Sequence, residues 1–322
     1  MSLRLSHNLL DYVNEASIIL SKVYEENNYI NYYPRPTPEE IESWLKSDPE
    51  YDPLETAIAE TSTGEVVGYA MAWAMDDYEP GGGRVTIDPE TPEPLYTEAL
   101  RLLLHWIGET LAYYDKAIDP ATIYIGREYS RIHLAVENIL GGRALYAHSG
   151  SLMEFRGSLK STPPPGFREE VILNLPDINL VDEIRGAVND AFSIYPGSGD
   201  WELANAWNYY KLMFTEHPGE YFIITLLGEE GIAGLAEINH YEVSGGRRVG
   251  YVSLLATRRK YQGRGIGSYL LSRAKAVLEH MGIDTLVLDS VPKAQPLYEK
   301  LGFTPVLRNL KAHVPVTALL SL

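Results

Sequence analysis

Hydrophobic positions along this chain alternate between two periods, and the changes of period mark out its elements. In the C-terminal half, short runs of mainly apolar residues predict strands around Glu170 to Leu173, Tyr221 to Leu227, Ile232 to Tyr241 and Tyr251 to Thr257. Helical spacing predicts helices around Leu180 to Phe192 and Trp201 to Thr215. Ile266, Leu270, Leu271, Ala274, Val277, Leu278 and Met281 then recur at helical spacing until Gly282 supplies a stop. Thr285 to Leu288 reads as a short buried strand, and a last helix carries Tyr298 and ends at Gly302-Phe303.

The N-terminal half repeats the plan faintly. Helical patterns around Leu9 to Glu26 and Pro38 to Lys46 precede strands at Thr56 to Glu60 and Val66 to Trp73. Val66 to Trp73 is similar to Ile232 to Ile238, and Leu145-Tyr146 before Gly150 mirrors Leu297-Tyr298 before Gly302. Gly81, Gly82 and Gly83 read as a flexible hairpin turn. The three prolines of Lys160 to Gly166 read as a stiff linker, so the expected layout is 1–159, a linker at 160–167, and 168–322.

One segment carries chemistry. Gln262-Gly263-Arg264-Gly265-Ile266-Gly267-Ser268 joins a strand to a helix through a glycine-rich turn. Glycines permit positive φ and close backbone approach, so successive N–H groups can face phosphate oxygens where the helix begins. A P-loop would need Lys before Ser/Thr, and Gly267-Ser268 lacks it. A dinucleotide turn would want an acid about twenty positions on. Asp284 and Asp289 lie near that spacing, so the motif alone does not exclude it. Arg258, Arg259, Lys260 and Arg264 crowd this turn in a chain of formal charge -17, which favours a pyrophosphate and a 3′-phosphate.

The order of strand, Q-x-x-G-x-G turn, helix, strand and tyrosine helix ending in Gly-Phe resembles the GCN5-related N-acetyltransferase (GNAT) family. The resemblance implies an α/β fold, a mixed central sheet flanked by helices, here in tandem. In the first half the corresponding turn reads Asp88-Pro-Glu-Thr-Pro-Glu-Pro94, which removes backbone donors and adds like charge, so that half is expected to be degenerate and non-catalytic, shaping the acceptor cleft or a homodimer.

For the second half the resemblance implies acetyl-CoA as cosubstrate and direct acetyl transfer to a primary amine in a ternary complex. Backbone N–H groups of Leu255, Ala256 and Thr257 would meet the pantetheine arm, and Gln262, Gly263, Arg264, Gly265, Ile266, Gly267 and Ser268 the phosphates. Tyr298 would protonate the leaving thiolate. The general base stays open between Glu237 and Tyr251, with Asp289 and His240 behind them. A CoA-binding sensor or scaffold without turnover is the alternative function.

Composition limits the rest. With no cysteines there is no disulfide, thiolate zinc site or acyl-cysteine. The eight histidines show no ligand spacing, so no metal is expected. The acidic balance argues against nucleic acid, and charges at Asp11, Glu15 and Lys22 break the first apolar stretch, so no membrane partner and a cytoplasmic location are expected.

Overall fold

A computed structural model describes residues 2–47, 52–73, 81–113, 120–157, 162–193 and 201–322. Residues 160 and 161 of the expected linker lie outside them. The chain packs as two compact units, Met1–Gly150 with Leu307–Leu322, and Ser151–Val306.

The first unit contains β1 (Leu3–His7), α1 (Val13–Glu26), α2 (Pro38–Ser47), β2 (Thr56–Thr61), β3 (Val66–Trp73), β4 (Gly82–Ile87), α3 (Leu95–Tyr113), β5 (Ala121–Arg127) and α4 (Arg131–Leu140). Its sheet runs β1-β2-β3-β4-β5 and is completed by residues 307–314, which pair antiparallel with β5. One face packs on α3, α4 and the terminal α9 (Val316–Leu320), through Leu100, Leu103, Leu104, Ile107 and Leu319. The other packs on α1 and α2 through Ile19, Ile41, Leu45, Ile58 and Tyr69.

The second unit follows the same order. After residues 151–155, the end of β6 (Leu145–Phe155), come β7 (Arg168–Ile172), α5 (Ile178–Phe192), α6 (Leu203–Glu216), β8 (Tyr221–Gly228), β9 (Gly231–Val243), β10 (Arg247–Thr257), α7 (Ile266–His280), β11 (Leu286–Ser290) and α8 (Gln295–Lys300). Its sheet runs β7-β8-β9-β10-β11 and is completed by residues 151–155, antiparallel to β11. Helices α7 and α8 cover one face, α5 and α6 the other.

The last strand of each sheet is thus drawn from the far half of the sequence. The unit boundaries fall at Gly150 and Val306 for this reason, and not at the proline-rich stretch around residue 163. The strand that completes the first sheet is β12 (Thr304–Val314), whose alternation is interrupted by a register shift between Leu310 and Lys311, and that hides it from a period-two reading.

Two readings of the first half are corrected. Leu145-Tyr146 begins strand β6 and not a helix, so Tyr146 is no counterpart of Tyr298. The counterpart of α8 and Gly302 is α4, which ends at Gly141 with φ 54°. The glycine run is not a turn either: Gly82 and Gly83 lie inside β4, paired with Trp73 and Ala72. A Cβ on Gly82 would run into the Thr122 carbonyl oxygen, and one on Gly83 would stand 2.7 Å from Ile107 Cδ1. Close approach of strand and helix, not turn geometry, requires them.

Candidate acyl-CoA site

Strands β10 and β11 run parallel and pair only over Gly250–Val252 with Leu286–Leu288. Beyond that point β10 stays paired with β9 through Thr257, across a register shift between Val252 and Leu254. Ser253 is the extra residue of this bulge, and its hydroxyl donates to the Glu237 carbonyl at 3.4 Å. From Leu254 to Thr257, β10 has one edge without a strand partner.

Strand alternation decides which groups that edge offers. Arg258 N–H donates to the Ala233 carbonyl on β9 at 2.9 Å. Counting back by two, the Ala256 N–H also faces β9, whereas Leu255 and Thr257 present theirs to the open edge. Of the three N–H groups expected at the pantetheine, two thus face the open edge. The Gln262 amide closes the turn by donating to the Thr257 carbonyl at 3.2 Å.

The turn then enters α7 through Gly263 (φ 75°) and Gly265 (φ 80°), both in the left-handed region with open space where a Cβ would lie. The first intrahelical bond runs from Tyr269 N–H to the Gly265 carbonyl, so the N–H groups of Ile266, Gly267 and Ser268 have no helical acceptor. No side chain caps this end, and its first turn holds no acid. In α5, by contrast, Asp177 caps the N-terminus by accepting from Asn179 and Leu180 N–H. An uncapped 15-residue helix behind two left-handed glycines offers an anion both oriented donors and the positive end of a dipole.

Gly267 departs from the expected positive φ. It lies inside the helix, and a Cβ there would make an ordinary 3.7 Å contact with Leu255 Cδ2. The basic cluster also thins out. Arg258 Nε donates to the Ile232 carbonyl at 2.7 Å, and Lys260 pairs with Glu230. Arg264, exposed, lies 5.4 Å from the Tyr261 ring centroid.

Because β10 and β11 are parallel, α8 leaves β11 at the same end of the sheet as the glycine turn. Tyr298 sits on α8, half-buried, with its ring 5.9 Å from Phe303. On the face covered by α5 and α6, Tyr221, Asn239 and Tyr251 stand in register across β8, β9 and β10. The Tyr251 hydroxyl donates to Asp289 Oδ2 at 2.8 Å. Burial, and then the Asp289 charge, push its phenol well above its ordinary value.

Glu237 shares that face and is 1% exposed. Tyr210 donates to its Oε1 at 2.5 Å and Tyr209 to its Oε2 at 3.2 Å. Burial raises the carboxyl above its ordinary value against the tyrosine hydroxyls, which act to lower it. Sequence reasoning missed these tyrosines, since α6 shows them only as apolar-face residues. His240 lies apart from this group: its Nδ1 faces Arg248 Nη2 at 3.1 Å, and burial lowers its pKa.

The first unit keeps the strand geometry and loses the nest. β4 pairs parallel with β5 only over Gly82–Arg84, then leads through Asp88–Pro94 into α3. Lys22 Nζ binds Asp88 and Glu90, each at 2.7 Å. Arg131 binds Glu93 at 3.2 Å and lies 3.8 Å over the Tyr96 ring. The cations there are engaged by the chain's own carboxylates. Among the described residues no group of three His, Asp or Glu side chains could hold a metal, and no helix is long and apolar enough to cross a membrane.

Residues 182–303 match the model of the acetyltransferase (GNAT) family. A glucosamine 6-phosphate N-acetyltransferase of Trypanosoma brucei brucei is 34% identical over 67 residues, 21% of this chain, which thus spans 46% of that relative's length. A tandem GNAT protein from the clavulanic acid biosynthesis pathway superposes with a TM-score of 0.67 at 14% identity, over 98% of this chain and 99% of that one. A GCN5-related N-acetyltransferase from Sphaerobacter thermophilus gives 0.61 at 17%, over 98% and 96%. The diverging strands, the uncapped glycine turn and these likenesses agree: residues 182–303 form a domain of the acetyltransferase (GNAT) family, in a chain of tandem GNAT fold.

Proposed function

We propose that the second unit transfers an acetyl group from acetyl-CoA directly to a primary amine within a ternary complex. The observation that carries this reading is the opening between β10 and β11, which ends at the uncapped α7. In it, Leu255 and Thr257 N–H would receive the pantetheine arm and polarise the thioester carbonyl. Gly263 to Ser268 would hold the pyrophosphate through main-chain N–H groups, with Arg264 adding charge. Gln262 keeps the turn closed. With no cysteine in the chain, an acyl-cysteine intermediate has no place in the reaction.

Tyr298 is the proposed proton donor to the departing thiolate. Of the two candidate bases, Glu237 is favoured. Tyr251 donates its proton to Asp289, and its raised pKa keeps it protonated. Glu237, raised by burial, is a stronger base than an exposed carboxylate and lies at the bulge where the strands part. The first unit is proposed as a non-catalytic partner, because Asp88, Glu90 and Glu93 occupy the cations and repel an anion. A cytoplasmic location and a homodimer belong to this proposal on the sequence alone.

The test is thiol release from acetyl-CoA over a panel of primary amines. Amino-sugar phosphates belong in the panel because the matched relative is named for one, beside polyamines, amino acids and peptide N-termini. Amine-dependent release supports the transferase. Acetyl-CoA binding without release on any amine would favour the sensor.

A further inference from the structure

Resting on the proposal that Glu237 is the base, we infer that Tyr209 meets the acceptor amine and relays its proton to Glu237. Glu237 is 1% exposed and both its oxygens accept hydroxyls, so an amine has no open path to the carboxylate. Three tyrosines face it. Tyr210 from α6 is fully buried against Trp201, their ring centroids 5.6 Å apart. Tyr221 from β8 is 2% exposed, packs edge-on against Phe214 at 4.9 Å, and its hydroxyl makes no hydrogen bond of good geometry. Both are sealed from solvent, so neither hydroxyl can meet an incoming amine.

Tyr209 differs. Its side chain is half-buried, and its hydroxyl donates to Glu237 Oε2 at 3.2 Å. The same hydroxyl faces Ser253, the bulge residue after which β10 loses β11 as a partner. Tyr209 thus joins a sealed carboxylate to the opening. Beyond it on this face stand Tyr251 of β10 and Asp289 of β11, hydrogen-bonded to each other.

The step balances without a further reactant. As the amine nitrogen lone pair forms the N–C bond, the carbonyl π pair moves onto oxygen, an amine proton moves to Tyr209 Oη and the Tyr209 hydroxyl proton moves to Glu237 Oε2. The C–S pair then leaves on the CoA sulfur, which takes its proton from Tyr298. Tyr209 ends neutral and Glu237 ends as the acid. No free phenolate is required, which suits a phenol whose pKa is raised by burial and by the Glu237 charge.

The experiment compares wild type, Tyr209→Phe, Glu237→Gln and the double variant, with acetyl-CoA and the amine panel. Each single change is expected to lower kcat by about a hundredfold or more and leave acetyl-CoA affinity unchanged. The double variant is expected to be no slower than the worse single one, because two groups on one proton path fail together. The solvent deuterium isotope effect on kcat should shrink in Tyr209→Phe, and a proton inventory of wild type alone should show two protons in flight.

A Tyr209→Phe variant with wild-type kcat beside a slow Glu237→Gln variant overturns the relay and leaves the base standing. Multiplying losses, or an unchanged isotope effect, also overturn it. Wild-type kcat in Glu237→Gln removes the base and the relay together, and no thiol release by wild type on any amine removes the transferase reading itself.

Discussion

The Tyr210 hydroxyl donates to Glu237 Oε1 at 2.5 Å inside a face where Glu237 is the only carboxylate on its strand pair to be sealed from solvent. Burial wins over the hydroxyl donors, so the folded-state pKa of Glu237 stands above its unfolded value. The unfolded chain then loses this proton first as pH rises, and stability falls through the window that begins near the ordinary carboxylate value of 4.5.

Glu237→Gln removes that titration. Thermal unfolding of both proteins between pH 4 and pH 8 is expected to show wild type losing stability relative to the variant as pH rises. A gap that stays constant, or that moves the other way, contradicts a raised Glu237.

Tyr298→Phe is expected to slow transfer by about a hundredfold to ten-thousandfold while acetyl-CoA affinity stays near wild type, because the hydroxyl matters chiefly when the thiolate leaves. A pH-rate profile checks this. Wild-type kcat across the range would make Tyr298 a packing residue beside Phe303.

Residues 151–155 belong to the second sheet, with the Phe155 ring 5.2 Å from Phe303. A fragment starting at residue 168 lacks this strand and exposes the β11 edge. It is expected to unfold at lower temperature than a fragment starting at residue 151, measured by circular dichroism. Phe155→Ala in the full chain should cost about 3–5 kcal/mol. Equal stability of the two fragments would count against the exchanged strand.

The sequence carried most of this architecture where periodicity was regular. Val66–Trp73 matched its strand as an apolar run buried on both faces, and Ile266 onward matched its helix because its apolar positions recur at helical spacing. The glycine turn was legible because Gly263 and Gly265 need positive φ, a requirement local to the chain. The exchanged strands were not, since pairing of β12 with β5 joins residues nearly two hundred positions apart and leaves no local mark. Nor was the tyrosine cage, because Tyr209 and Tyr210 read as apolar until α6 packs over Glu237. The Gly81–Gly83 run misled because glycine marks close approach as well as turns.

The central claim is that one glycine turn, at the start of α7, holds acetyl-CoA. Calorimetric titration of the full chain tests it most directly, with Gly265→Val, Gly267→Asp and Gly267→Ala beside wild type. One equivalent per chain is expected. Gly265→Val should abolish binding because φ 80° excludes a branched side chain, and Gly267→Asp because it puts a negative charge in the first turn of α7, where the phosphates are proposed to bind. Gly267→Ala, with room for its methyl, should keep most of the affinity. Two equivalent sites, or unchanged affinity in Gly265→Val and Gly267→Asp, would contradict the account.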